Sequence, residues 1–200
     1  MNMKHPEPRV ETDRTGDLKQ RLKIISLLLG FPDAELVEHL PQLEDAADRL
    51  FPAEAARQCR ALIAHLQNTP LIRLQENYTA IFDVNPAACL NLTYHRWGDG
   101  EDRGKALADI QEVYYRSGYG RAMGELPDYL PMVLEFLSAC EEIAPRSVFA
   151  DYAEAVGAIA GVLRKAGSPY AGLIEILMPD FATLMEAGNE PILPKGAFAT

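Results

Sequence analysis

Few residues of this chain stand where a covalent reaction could use them. Nucleophilic catalysis needs a Ser, Cys or Thr beside a base that can take its proton. Ser26, Ser117, Ser138, Ser147 and Ser168 fall within helical periods or at their caps, and none occupies a G-x-S-x-G elbow. Cys59, Cys89 and Cys140 are isolated, with no C-x-x-C spacing. An odd count without a framework reads as reduced thiols packed as small apolar side chains. His5, His39, His65 and His95 lie far apart, so no metal site built from local ligands is expected. Gly98-Asp99-Gly100 has two glycines but no following Lys-Ser/Thr, as a phosphate loop would need. Glu141-Glu142 and Asp99/Glu101/Asp102 are neighbouring carboxylates of the kind an acidic surface carries. These residues do not describe an enzyme.

Binding chemistry is better represented. The stretch Gly124-Glu125-Leu126-Pro127-Asp128-Tyr129-Leu130-Pro131 leads into the apolar run Met132 to Leu137. It reads as a turn feeding a buried helix. Proline is tolerated only in the first helical turn, so the helix starts either with Asp128 as N-cap or at Pro131 itself. Glu125, Asp128 and Glu135 crowd this entrance beside Tyr129. Asp128 and Glu135 are seven residues apart, a spacing that lets two helical residues share a face. An acidic rim around apolar side chains would suit a basic amphipathic peptide.

The bulk properties agree. A chain of 200 residues, 48% apolar, is long enough for one domain with a sizeable core. No apolar run approaches the roughly 20 residues that span a bilayer, so membrane insertion is not expected. Residues 1–16 are polar and charged, unlike a signal or transit peptide, and read as a flexible lead-in. The net charge is −10, and residues 125–190 hold eleven acidic and three basic side chains. Such a balance disfavours binding to a phosphate backbone, so nucleic acid is a poor partner.

The elements that must position these residues are all helical. The spacing predicts helices over Asp17–Leu29, from Asp33 through Leu43 with an interruption at Pro41, after Pro52, and from a Thr69 N-cap through Phe82. Residues 83–100 break the period and hold Tyr94, His95, Arg96 and the only tryptophan, Trp97; a loop of this length is expected to be functional. Helices resume over Asp102–Tyr119, from the 124–131 turn to Ile143, from Pro145 to Gly167, and after Ser168-Pro169. Pro191 to Thr200 reads as a tail. With no sustained alternation of apolar and polar residues, the expected fold is all-α: one globular domain over 17–190 with about seven to nine helices.

Three motifs, in order, give the chain a family likeness. Glu125-Leu126-Pro127-Asp128-Tyr129-Leu130-Pro131 with Leu134-Glu135-Phe136-Leu137 resembles the signature of the nitrate reductase delta-chain (NarJ-type) chaperones, relatives of the TorD/DmsD redox-enzyme maturation proteins. Tyr78-Thr79-Ala80-Ile81-Phe82-Asp83 is similar to the family's Y-x-x-[LI]-F-D. Leu90 through His95 to Gly98, then Asp102-Arg103-Gly104 with Ala106-Leu107, is similar to its L-x-x-x-x-H-x-x-G and D-R-G-x-A segments. The resemblance implies an all-helical, cytoplasmic, non-catalytic chaperone. Its partner would be the apo catalytic subunit of a molybdoenzyme, most simply a respiratory nitrate reductase, bound through its N-terminal segment. The alternative is a structural subunit of the assembled complex, or a chaperone for another iron–sulfur molybdoenzyme.

The chaperone would hold no cofactor tightly, would come transiently near the client's molybdenum cofactor, and could meet cofactor-biosynthesis proteins. It would act as a monomer or a helix-swapped dimer. On this likeness the peptide site is assigned to Tyr78, Phe82, Glu125, Asp128, Tyr129 and Glu135. His95, Asp102 and Arg103 would order the loop, with Arg103 tying it to Asp83 or Asp128. Many relatives have P-D-H where this chain has Pro127-Asp128-Tyr129; tyrosine keeps a ring and a polar tip but cannot become cationic near neutral pH.

Overall fold

The computed structural model describes residues 14–120, 124–140, 148–149 and 152–182. Every regular element among them is helical: α1 Arg14–Leu28, α2 Ala34–Ala47, α3 Ala53–Gln67, α4 Leu71–Tyr78, α5 Tyr94–Trp97, α6 Glu101–Arg116, α7 Leu130–Ala139, α8 Ala153–Lys165 and α9 Ala171–Glu175. The all-α expectation holds. Residues 1–13 of the expected lead-in and the whole 191–200 tail lie outside the described residues, and α1 starts at Arg14, before the expected Asp17. Among the described residues, no helix is long and apolar enough to cross a membrane.

α1 and α7 form the most extensive pairing, and the reason is in their sequences. Leu22, Ile25, Leu28 and Leu29 are buried, and on α7 so are Leu130 to Leu134, Phe136 and Leu137. A helix apolar nearly all round belongs in the interior. Polar bonds fix its register: buried Ser26 donates to the Pro131 carbonyl at 2.8 Å, and Lys23 reaches Glu135 at 2.5 Å. The same core takes in Cys59, Leu62 and Ile63 of α3 and Val156 and Ile159 of α8.

Local differences from expectation each have a cause. α2 runs straight through Pro41. Pro41 sits on the exposed face, where the Val37 carbonyl, deprived of its N–H partner, can turn to water. Thr69 does not cap α4; its hydroxyl donates back to the His65 carbonyl at 2.8 Å, and Pro70 takes the cap position. α4 does not stop at Tyr78 but continues as a π turn over Thr79–Asp83. α7 opens with Tyr129 as N-cap and no side-chain cap, so Asp128 is not a helix cap. Pro131, at the second helical position, costs no bond there.

One buried ion pair closes the bundle. Arg21 of α1 bonds both oxygens of Asp180, through Nε at 2.9 Å and through Nη2, and Nη1 donates to the Phe51 carbonyl. Burial pushes the Asp180 carboxyl up, and Arg21 pulls it back. Removing one member strands the other in the interior, which costs about 3–5 kcal/mol. Arg21→Met should therefore lower the urea midpoint sharply, while Arg21→Met/Asp180→Leu should recover most of the loss.

Candidate functional site: an aromatic edge on a buried carboxylate bracket

The three motifs meet at one end of the bundle. Asn91 and Tyr129 form an isolated antiparallel bridge, in which the Leu130 N–H donates to Leu90 O (2.8 Å) and the Leu92 N–H to Asp128 O (3.1 Å). This short contact aligns the Asp128 side chain with the loop. Its Oδ2 accepts from the Thr93 N–H at 2.9 Å and the Thr93 hydroxyl at 2.5 Å, and Oδ1 accepts from Asn91 Nδ2 at 3.1 Å. Arg103 stands behind, 4.0 Å from Asp128, donating through Nε to the Thr93 hydroxyl at 3.1 Å and lying 3.6 Å from Asp99. Its guanidinium also sits 5.5 Å from the centre of the Tyr94 ring.

These contacts correct the sequence reading of Asp128. Its exposure is 0%, and both oxygens are already engaged, so it forms no rim that a ligand could meet. The expected tie between Arg103 and Asp128 is present, while the alternative through Asp83 is not used. His95 helps to order the loop through Nε2, 2.7 Å from the Cys89 carbonyl. Asp102 is exposed in the first turn of α6. Asn91 and Thr93, the partners that matter most, were missed. Their types were the available signal, because Asn and Thr in an irregular segment commonly bond side chain to backbone.

On the outer side of the bracket lies an aromatic cluster. Tyr78 and Phe82 are buried, with ring centroids 4.8 Å apart, and Tyr170 meets Phe82 at 5.1 Å. They support the edge from beneath and offer a ligand little surface. The Tyr78 hydroxyl bonds the Leu29 carbonyl at 2.9 Å and the Tyr129 hydroxyl at 2.7 Å. Tyr129 is half-buried; burial first, then the charges of Glu125 and Asp83, push its phenol up to about 12, opposed by the bond to Tyr78. Phe31 packs edge-on against Tyr78 at 5.5 Å and is 47% exposed, and Leu126 is 42% exposed. The accessible edge is thus Phe31, Tyr129 and Leu126, flanked by exposed Glu125 and Asp83.

Glu135 does not form a rim with Asp128: it pairs with Lys23 of α1, held below the usual carboxylate range first by that bond and then by Tyr119, with burial opposing. Among the described residues no group of His, Cys, Asp and Glu could hold a metal ion. Burial pushes the Cys59 thiol up to about 12 and also raises Cys89, so neither is an activated nucleophile.

Two measurements follow from this geometry. Asp128→Asn keeps one acceptor oxygen of two, so its NH2 must face a donor of either Thr93 or Asn91, and the charge near Arg103 is lost. This should cost about 2–3 kcal/mol. Amide exchange over residues 89–103 should rise with it, whereas Glu125→Gln should leave both stability and exchange unchanged. For Glu135 the folded acidity is the stronger, so its contribution is present above its ordinary value of 4.5 and is lost as pH falls through the lower, folded value. Both members are over a third exposed, so the gain is under about 1 kcal/mol. The stability gap between wild type and Lys23→Met should be small, flat above that pH, narrower below it, and narrower in high salt.

Comparison with known proteins places this arrangement in a family. Residues 48–174 match the family described as "Nitrate reductase delta subunit". A Bacillus subtilis protein named "Probable nitrate reductase molybdenum cofactor assembly chaperone NarJ" is 33% identical over 82% of this chain and 89% of its own length. The Escherichia coli K12 "Nitrate reductase molybdenum cofactor assembly chaperone NarJ" is 31% identical over 78% of this chain and 67% of its own. The fold is shared with a crystal structure from Archaeoglobus fulgidus described as a candidate redox enzyme maturation protein, at a TM-score of 0.61 and 22% identity, over 88% of this chain and 99% of that one. The matched region holds the bracket and, of the edge, Leu126 and Tyr129, with Phe31 outside it, and the chain belongs to the nitrate reductase delta subunit family of NarJ-type proteins.

Proposed function

We propose that this protein is an assembly chaperone for a respiratory nitrate reductase. It binds the N-terminal segment of the apo catalytic subunit and keeps that subunit open to its molybdenum cofactor until loading is complete. The observation that carries this reading is the exposed edge of Phe31, Tyr129 and Leu126 between Glu125 and Asp83. It offers apolar contact and negative charge together, in a chain whose nearest chemistry is wholly structural. The names of the relatives support the reading: two of those compared are called molybdenum cofactor assembly chaperones of nitrate reductase.

The mechanism that follows is one of retention. A client segment with apolar side chains and Lys or Arg gains little from any single contact here, because exposed ion pairs are weak. Apolar burial sets the affinity, while the carboxylates set orientation and speed of encounter. The bracket keeps the edge in shape before the client arrives, so less ordering is needed on binding. The cofactor is the client's cargo and is held by the client. The site of action is the cytoplasm, where an apo catalytic subunit is available.

Co-purification from cells making the reductase separates this reading from that of a structural subunit. The apo catalytic subunit should come down with the tagged chain. The cofactor-loaded, assembled enzyme should not. Stoichiometric recovery of this chain with mature enzyme would identify a subunit instead. In cells lacking the protein, the catalytic subunit should accumulate without molybdenum.

A further inference from the structure

Between the end of α1 and the face of α2 runs an apolar slot of about 450 Å³, lined by Leu27, Phe31, Leu36 and Leu43. Leu27 is 41% exposed and Phe31 47%, so two large apolar side chains meet solvent across it. Grouped exposure of this kind marks a surface that something covers. The rim changes character along α2: Asp33 and Glu35 stand at its start, His39 and Gln42 toward Leu43. Asp33 already caps α2 by accepting from the Leu36 N–H at 2.8 Å. Glu35 is exposed and has no ion pair among the described residues, so it is free to meet a cation.

The chain itself carries a segment that suits this slot. Glu190-Pro191-Ile192-Leu193-Pro194-Lys195 sets two large aliphatic residues between prolines, with an anion before them and a cation after. A residue before proline is pushed out of the helical region, so Glu190 and Leu193 favour extended backbone, and each proline fixes its own φ. A segment already biased toward polyproline II loses little entropy when it docks against an aromatic wall. From Glu190 to Lys195 it spans roughly 15 Å at 3.1 Å per residue. The α2 face from Asp33 to Leu43 also rises roughly 15 Å, at 1.5 Å per residue.

The path between the two is short. Asp180 is bonded to Arg21 of α1, and Arg21 donates to the Phe51 carbonyl, just past the end of α2. The chain therefore leaves exposed Ala182 near the C-terminal end of α2, with Leu43 the nearer end of the slot. Along α1, Leu27 lies six residues from Arg21, roughly 9 Å. Pro191 is nine residues beyond Ala182, a reach of up to roughly 30 Å. A segment entering from the Leu43 end brings Glu190 beside the Gln42 amide, which can donate to it, and Lys195 beside Glu35. Direction of entry and order of charge agree.

We propose that residues 190–195 of the same chain fill this slot in cis, with Ile192 and Leu193 seated on Leu27, Phe31 and Leu36 and with Lys195 paired to Glu35. Tethering makes a weak contact sufficient. A short flexible tether presents the segment at an effective concentration on the order of 1 mM, so an intrinsic Kd of about 0.1 mM keeps it seated about nine-tenths of the time. Phe31 also belongs to the aromatic edge, so the seated segment withdraws one of that edge's apolar contacts. On the chaperone reading above, it is a built-in competitor that a client displaces from Phe31.

The test uses the full-length chain with benzoylphenylalanine in place of Leu193. Irradiation at micromolar protein, followed by peptide mapping, should join position 193 to residues 27–43 with the monomer mass retained. Crosslinks that fall elsewhere overturn the assignment. Crosslinked dimers joining 193 to 27–43 overturn seating in cis and give the slot to a second copy. Fluorescence anisotropy with a labelled peptide of residues 188–198 supplies the affinity. The peptide should bind the full-length Ile192→Asp/Leu193→Asp variant about tenfold more tightly than wild type, whose slot is already occupied. Adding Leu27→Glu or Phe31→Ala to that variant should abolish binding; thermal melting checks that each still folds. Equal affinity for wild type and variant, or no binding to either, overturns the proposal. No client enters these measurements, so their failure leaves the chaperone reading standing.

Discussion

The end of the bundle that carries the aromatic edge depends on one buried carboxylate. Asp128 gathers the Thr93 N–H, the Thr93 hydroxyl and the Asn91 amide within 3.1 Å, and its own carbonyl accepts from Leu92. A charge taken wholly out of water is costly unless every lone pair is satisfied. Here it is satisfied by a loop 35 residues earlier in the chain, so the cost of burial becomes a demand for one particular loop conformation. Tyr129, the next residue, inherits its position from that demand. The aromatic edge proposed for docking is in this sense a by-product of satisfying Asp128.

The bracket does not act alone. α7 follows directly, and its apolar surface is covered by α1, with Ser26 fixing the register at the Pro131 carbonyl. α1 ends at the turn that places Phe31, and the Leu29 carbonyl there receives Tyr78 from α4. Three segments distant in the chain therefore converge through backbone carbonyls as well as side chains. The parts of the site that a ligand could touch are few, and most of the motif residues serve as their support.

How much of this could be read from the sequence differs from residue to residue. Helix positions followed from apolar periodicity because burial dominates them, and the Asp33 cap and the stop at Gly167, which has φ of 62°, followed from local chemistry. Pro41 was misjudged because a missing hydrogen bond matters only where water cannot replace it, and exposure is not written locally. Asp128 was misjudged for the same reason. A carboxylate after proline before an apolar run fits an N-cap, a rim or a buried bracket equally well, and only the partner loop decides. The Arg21–Asp180 pair spans 159 residues and leaves no local pattern. Tyr78 and Phe82 were expected at a ligand surface, and both lie in the interior, beneath Tyr129.

The hydroxyl of Tyr78 has a further consequence for what can dock. A phenol carries a single hydrogen, and that of Tyr78 goes to the Leu29 carbonyl, which can only accept. The bond between the two tyrosines must then run from Tyr129 to Tyr78. Tyr129 has no hydrogen left to offer. Toward solvent it presents lone pairs, beside the carboxylates of Glu125 and Asp83. The side-chain polar groups named on this edge are therefore all acceptors, fixed in direction by a carbonyl at the end of α1, and a ligand answers them with hydrogen-bond donors.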